Sequence, residues 1–141
     1  MSDRPFTKVI KILREAGLRP TRQRLGLAKL LLDGTNQHIT AEELHKAAQD
    51  NNILVSLATV YNTLHQFKSA GLLREVIVEP GRAYFDTNLS KHHHFYFEQT
   101  GEITDIPDSQ INIERLPHIP EGTSINCIDV VVRLSPVIRD D

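Results

Sequence analysis

Three consecutive histidines, His92, His93 and His94, are the most chemically loaded stretch of the sequence. On a strand, His92 and His94 would point to one side and His93 to the other. Imidazoles two residues apart can share one metal ion. Carboxylates from elsewhere can then complete a nitrogen and oxygen shell suited to Fe(II), Mn(II) or Zn(II). The competing reading is a surface cluster that binds nothing, since surface histidines often have no ligand. Two histidines and a carboxylate can also leave an open position on iron, so a mononuclear metalloenzyme is the remote alternative. The single cysteine, Cys127, excludes an internal disulfide and any Cys-x-x-Cys zinc clamp within one chain.

A second group of residues carries recognition chemistry. Leu57, Val60, Leu64 and Phe67 fall within about 80° of a helical wheel. Ser56 can cap that helix, and Gly71 lies past its end. The opposite face presents Ala58, Asn62, His65 and Gln66, flanked by Thr59 and Tyr61. Small, amide and hydroxyl residues without an acidic group suit a DNA major groove: Asn and Gln can read adenine edges, and Thr and Tyr can touch thymine methyls or phosphates. An ordinary polar face usually carries more Glu and Lys.

Three helices must precede this one to hold it. Phe6, Val9, Ile10 and Leu13 recur at helical spacing before Gly17, Leu18 and Pro20. Thr21 can cap a second helix carrying Leu25, Ala28 and Leu32. Thr40-Ala41-Glu42-Glu43 reads as a capping box for a short third helix burying Leu44, Ala47 and Ala48. After Leu72 the period changes. Leu73–Val78 and Ala83–Phe85, joined through Glu79-Pro80-Gly81-Arg82, form a hairpin. This order describes a winged helix-turn-helix, with Arg82 at the wing tip meeting a phosphate or the minor groove.

Beyond the hairpin, Thr87-Asn88-Leu89-Ser90 reads as a linker. Phe95–Glu98 and Glu102–Ile106 flank a turn, Ile111–Leu116 reads as a short helix, and Ser124–Leu134 as a strong strand. The expected fold class is therefore α+β: a winged-helix DNA-binding domain at 1–86, a hinge at 87–90, and a small α/β domain at 91–141. About 50 residues bury little apolar surface alone, so the second domain is expected to dimerise through its last strand.

Charge follows the same division. Residues 1–32 hold eight Lys/Arg against two Asp/Glu, whereas residues 87–141 hold four against nine. A basic N-terminal part suits a polyanion, and an acidic C-terminal part has another purpose. Apolar residues make up 40% of the 141, an ordinary globular share, and no apolar run is long enough to cross a bilayer. The N-terminus carries no apolar signal region, so a cytoplasmic location is expected.

The matching stretches Ala16-Gly17-Leu18-Arg19-Pro20-Thr21-Arg22-Gln23-Arg24, His38–Leu44, Ser56–Leu64, Tyr84-Phe85-Asp86, His92-His93-His94 and Asp105-Ile106 resemble the ferric uptake regulator family, in this order and across almost the whole chain. The resemblance implies a homodimeric, metal-dependent repressor that binds double-stranded DNA at A·T-rich dyad operators. It implies a regulatory site of His38, Asp86, His92, His94 and Asp105, holding Fe(II) or Mn(II), with Zn(II) as purified. Arg19, Arg24, Thr59, Tyr61, Asn62 and Arg82 are the expected DNA contacts. Three His and two Asp resemble the peroxide-sensing branch. Tyr84–Asn88 followed by His92–Tyr96, without Cys-x-x-Cys, resembles the iron response branch, which implies haem at His92, His93 and His94. Phe97 and Thr100 stand where the family's structural zinc clamp has its first cysteine pair, so no four-cysteine structural zinc is expected. A further family site would fall near Lys91, His93, Asn112 and Cys127, where Lys and Asn are poor ligands.

Overall fold

Capping residues and glycines set the boundaries of the helices. The computed structural model describes residues 6–138, so the outermost residues of the two expected domains lie outside the described residues. The chain divides into two units, Met1–Leu89 and Ser90–Asp141.

In the first unit, α1 (Thr7–Glu15) buries Val9 and Leu13. Gly17, at φ 79°, ends it: the Gly17 amide donates to the Arg14 carbonyl and the Leu18 amide to Leu13. That pair of bonds satisfies carbonyls the helix would otherwise leave open. Phe6 lies outside the helix and is exposed, with the Lys29 ammonium 4.9 Å from its ring centre, so it does not join the apolar face expected of it. Helix α2 (Arg22–Leu31) is capped by Thr21, whose hydroxyl accepts from the Arg24 amide. Both halves of the capping box close on α3 (Ala41–Asp50), which is a full-length helix rather than a short one. Helix α4 (Leu57–Ser69) is capped by Ser56 and buries Val60, Thr63, Leu64 and Phe67. Gly71, at φ 81°, ends it as Gly17 ends α1.

These faces meet in one core with Leu27, Leu31, Leu44 and Phe85. Phe67 is fully buried in it, and truncation to Ala would cost about 3–5 kcal/mol. A three-stranded antiparallel sheet closes the unit in the order β1-β3-β2, from β1 (His38–Ile39), β2 (Arg74–Glu79) and β3 (Arg82–Asp86). The two-residue β1 pairs His38 with Asp86.

The second unit contains β4 (His92–Phe97), β5 (Ile103–Pro107), one 3-10 turn (Asp108–Gln110) and β6 (Val131–Leu134). Strand β4 lies between antiparallel β5 and parallel β6. Two expectations fail here. Residues 111–116 form no helix, and the final strand covers four residues rather than eleven. The six-residue apolar pattern is cut by Pro117 and Pro120 before a second turn can form, and Ile113, Leu116 and Ile125 stay exposed. Among the described residues no helix is long and apolar enough to cross a membrane.

Candidate functional site

Each unit builds a set of metal-type donors from cross-strand neighbours. Residues directly opposite in a ladder project to the same face, so the register that pairs His38 with Asp86 brings their side chains together. His38 Nε2 lies 3.2 Å from Asp86 Oδ2, and Asp86 is fully buried. The other Asp86 oxygen accepts from the Asn88 amide at 2.9 Å, which fixes the carboxylate plane.

In the second unit the register pairs His94 with Asp105, and His92 stands two residues away on the same side of β4. Both Nε2 atoms are 3.5 Å from Asp105 Oδ1, and the two rings meet edge to face at 4.6 Å. One ligand atom from each of these three residues lies within 4.8 Å of the others. His92 Nδ1 hydrogen-bonds the Ser90 carbonyl. A carbonyl can only accept, so the proton sits on Nδ1 and Nε2 presents a lone pair, the usual arrangement of a metal-binding imidazole. Imidazoles and carboxylates together are the borderline-to-hard set that Mn(II), Fe(II) and Zn(II) accept. The donors therefore fit a divalent cation.

His93 does something different. The Val130 amide donates to its Nδ1 at 3.1 Å, so its proton sits on Nε2 and is donated to Asp108 at 3.1 Å. Its tautomer is opposite to that of His92, and both ring nitrogens are engaged. Lys91 pairs with the same Asp108, Asn112 donates to Glu114, and the exposed Cys127 thiol contacts Asp129. The four residues of the further family position thus bond to carboxylates or backbone.

On α4, Ala58, Tyr61, Asn62, His65 and Gln66 are exposed. The Tyr61 hydroxyl donates to Glu42 on α3 at 2.6 Å. That bond holds the Glu42 carboxyl below its ordinary value and, with some burial and the nearby negative charge, raises the Tyr61 phenol above its own. Thr59 accepts from the capping Ser56 hydroxyl. Arg24 is braced: two of its nitrogens donate to Gln66 Oε1 at 3.2 and 3.0 Å, and a third to the Arg19 carbonyl at 3.0 Å. It ties α2 to α4 and also takes up Gln66, which sequence reasoning offered as a base reader. Arg19 is exposed, and Arg82 opens β3 beside Glu79, 3.7 Å away. His45 is half-buried and bonds the Val55 carbonyl at 3.1 Å. Sequence reasoning missed Glu42 and Asp108. Each meets a partner 15 or more residues away, so no local spacing signals either contact.

Four helices with a β1-β3-β2 wing define a winged helix-turn-helix DNA-binding unit, followed here by a small sheet bearing metal-type donors. The chain belongs to the ferric uptake regulator family, whose model matches residues 15–133. It is 38% identical over 108 residues to a peroxide-responsive repressor of Staphylococcus aureus, covering 76% of this chain and 72% of that protein. Its structure is similar to the ferric uptake regulator of Pseudomonas aeruginosa solved with manganese, with a TM-score of 0.68 and 28% identity, covering 89% of this chain and 96% of that one. It is also similar to the Vibrio cholerae ferric uptake regulator, with a TM-score of 0.71 and 25% identity, covering 90% and 98%.

Proposed function

We propose that the chain is a metal-dependent transcriptional repressor in which His38 and Asp86 of the first unit and His92, His94 and Asp105 of the second hold one Fe(II) or Mn(II) ion. It is a regulator and not an enzyme, as its family and the S. aureus repressor indicate. The reading is carried by the cross-strand pairing of imidazole with carboxylate in each unit, His38 with Asp86 and His94 with Asp105.

Bound there, the ion would supply a fixed positive charge linking the two ends of segment 87–91. The chain's own residues do the rest. Asp86 is oriented by the Asn88 amide, and His92 by the Ser90 carbonyl. A dimer must place its recognition helices about 34–36 Å apart to enter successive major grooves of a dyad operator. Restricting the linker narrows the range of separations, so less orientational entropy is lost when DNA binds. Tyr61 and Asn62 face the bases, and Arg19 and Arg82 meet phosphates. The protein acts in the cytoplasm as a homodimer, and an A·T-rich dyad is its operator. His93, with both nitrogens engaged, takes no part in the cation site, and haem on it would require those bonds to break.

Gel shift on an A·T-rich dyad duplex tests the reading. Mn(II) should strengthen binding at least tenfold for the wild type and leave His38→Ala at its metal-free affinity. Equal Mn(II) responses would count against it.

A further inference from the structure

Glu42 is an acidic side chain beside a face that must approach phosphates, where an acidic group is expected to weaken binding. It is not the capping-box carboxylate, a role that belongs to Glu43. Its partner is the Tyr61 hydroxyl, which reaches it from α4 across nineteen residues of sequence with a 2.6 Å bond. Both residues are exposed.

We propose that Glu42 is the positioning residue that sets what Tyr61 can read, making it selective for A·T over G·C. This rests on the reading of α4 as the DNA-facing helix. A phenol has one proton to donate. With that proton committed to Glu42, Oη offers the duplex only lone pairs. Tyr61 then cannot donate to a phosphate, to thymine O4 or to guanine O6 and N7. It can accept from the amino groups of adenine or cytosine, and its ring can lie against a thymine methyl. Only an A·T pair supplies both an amino donor and a methyl in the major groove. The bond between helices also restricts the ring's rotamers before DNA arrives, so less side-chain entropy is lost on binding. The carboxylate meanwhile repels every phosphate backbone alike, lowering affinity for all sequences. Glu42 therefore trades general affinity for base preference.

The test measures affinity ratios on the full-length chain with Mn(II), using a dyad duplex in which each A·T pair is changed in turn to G·C. A ratio from one protein sample is insensitive to the fraction folded, so a destabilised variant still reports. Tyr61→Ala first identifies the position Tyr61 reads. At that position alone, Glu42→Ala is expected to reduce the A·T preference by about tenfold, the scale of one good base contact, while raising affinity for random duplex. Glu42→Gln keeps an acceptor for the hydroxyl and removes the charge; it should retain the preference and still raise general affinity. In a Tyr61→Phe background, Glu42→Ala should no longer alter the preference. The proposal is overturned if Glu42→Ala weakens binding to every duplex equally with the preference intact, or flattens it as much without the hydroxyl. If Tyr61→Ala changes no position, the assignment of α4 as the reading helix fails as well.

Discussion

Replacing Asp86 with Asn separates the charge of the buried carboxylate from its shape. The amide fills the same volume, and its oxygen can keep the Asn88 amide bond at 2.9 Å. Its NH2 then faces His38 Nε2 from 3.2 Å, a distance at which a neutral imidazole can accept. Metal-free stability should therefore fall by about 1–2 kcal/mol, contacts to a charged carboxylate being exchanged for neutral hydrogen bonds. The cation meets a different situation, because an N–H aimed at it is no ligand. Residues that merely support a metal ligand are worth about 10–100-fold in affinity, so loss of an anionic donor should weaken binding by about 100-fold or more. At an Mn(II) concentration of about 100 times the wild-type Kd, the wild type gains about 2.7 kcal/mol and the variant about 0.4 kcal/mol. The difference, about 2.3 kcal/mol, corresponds to roughly 10–18 °C in Tm for a unit of this size. Circular dichroism melts with and without Mn(II) read it directly. Equal Mn(II)-induced shifts in Asp86→Asn and wild type would refute the assignment of Asp86 as a ligand. A metal-free Tm already collapsed in the variant would refute the isosteric argument.

Other outcomes follow from single contacts. Gly71→Ala should cost about 1–2 kcal/mol by urea denaturation, because the left-handed backbone at φ 81° opposes a side chain while nothing lies within 4 Å of the added carbon; an unchanged midpoint would show that α4 ends differently. The Tyr61–Glu42 bond sets a pH window. Glu42 is depressed, so its contribution is present above its unfolded pKa and is lost as pH falls through the folded one. Tyr61 is raised, so its contribution is present below its unfolded pKa and is lost as pH rises through the folded one. The stability difference between wild type and Glu42→Ala should thus be flat between about pH 5 and 9 and shrink on both sides; a slope near neutrality would contradict this. Arg19→Ala and Arg82→Ala should each reduce the slope of log K against log salt by about 0.9 if each meets one phosphate, and an unaltered slope would remove that residue from the interface.

The sequence made the helices legible because their ends are written in local chemistry. Thr21, Thr40 and Ser56 cap as expected, and Gly17 and Gly71 supply the left-handed turns. Strand β4 was readable in part: Phe95–Glu98 was expected, whereas the strand begins three residues earlier, at His92, and buries all three histidines. Strand β1 was not: two residues carry no periodicity, and His38 is placed by a ladder to Asp86, forty-eight residues later. The run Val130-Val131-Val132 marked the final strand but not its length: Ile125 and Ile128 carry an apolar pattern, yet residues 124–129 pair with no strand among the described residues. Arg24 shows a different limit. Its charge suggested phosphate, whereas its geometry is that of a fork gripping Gln66, and composition cannot distinguish a cation that faces DNA from one that braces two helices.

The proposed function requires one cation to take donors from both units. Crystals grown with Mn(II) and measured for anomalous scattering test it most directly. One strong peak per chain is expected, at about 2.0–2.3 Å from donor atoms of His38 and Asp86 and equally of His92, His94 and Asp105. A peak coordinated by residues of only one unit, with the other unit's imidazoles turned elsewhere, would contradict it.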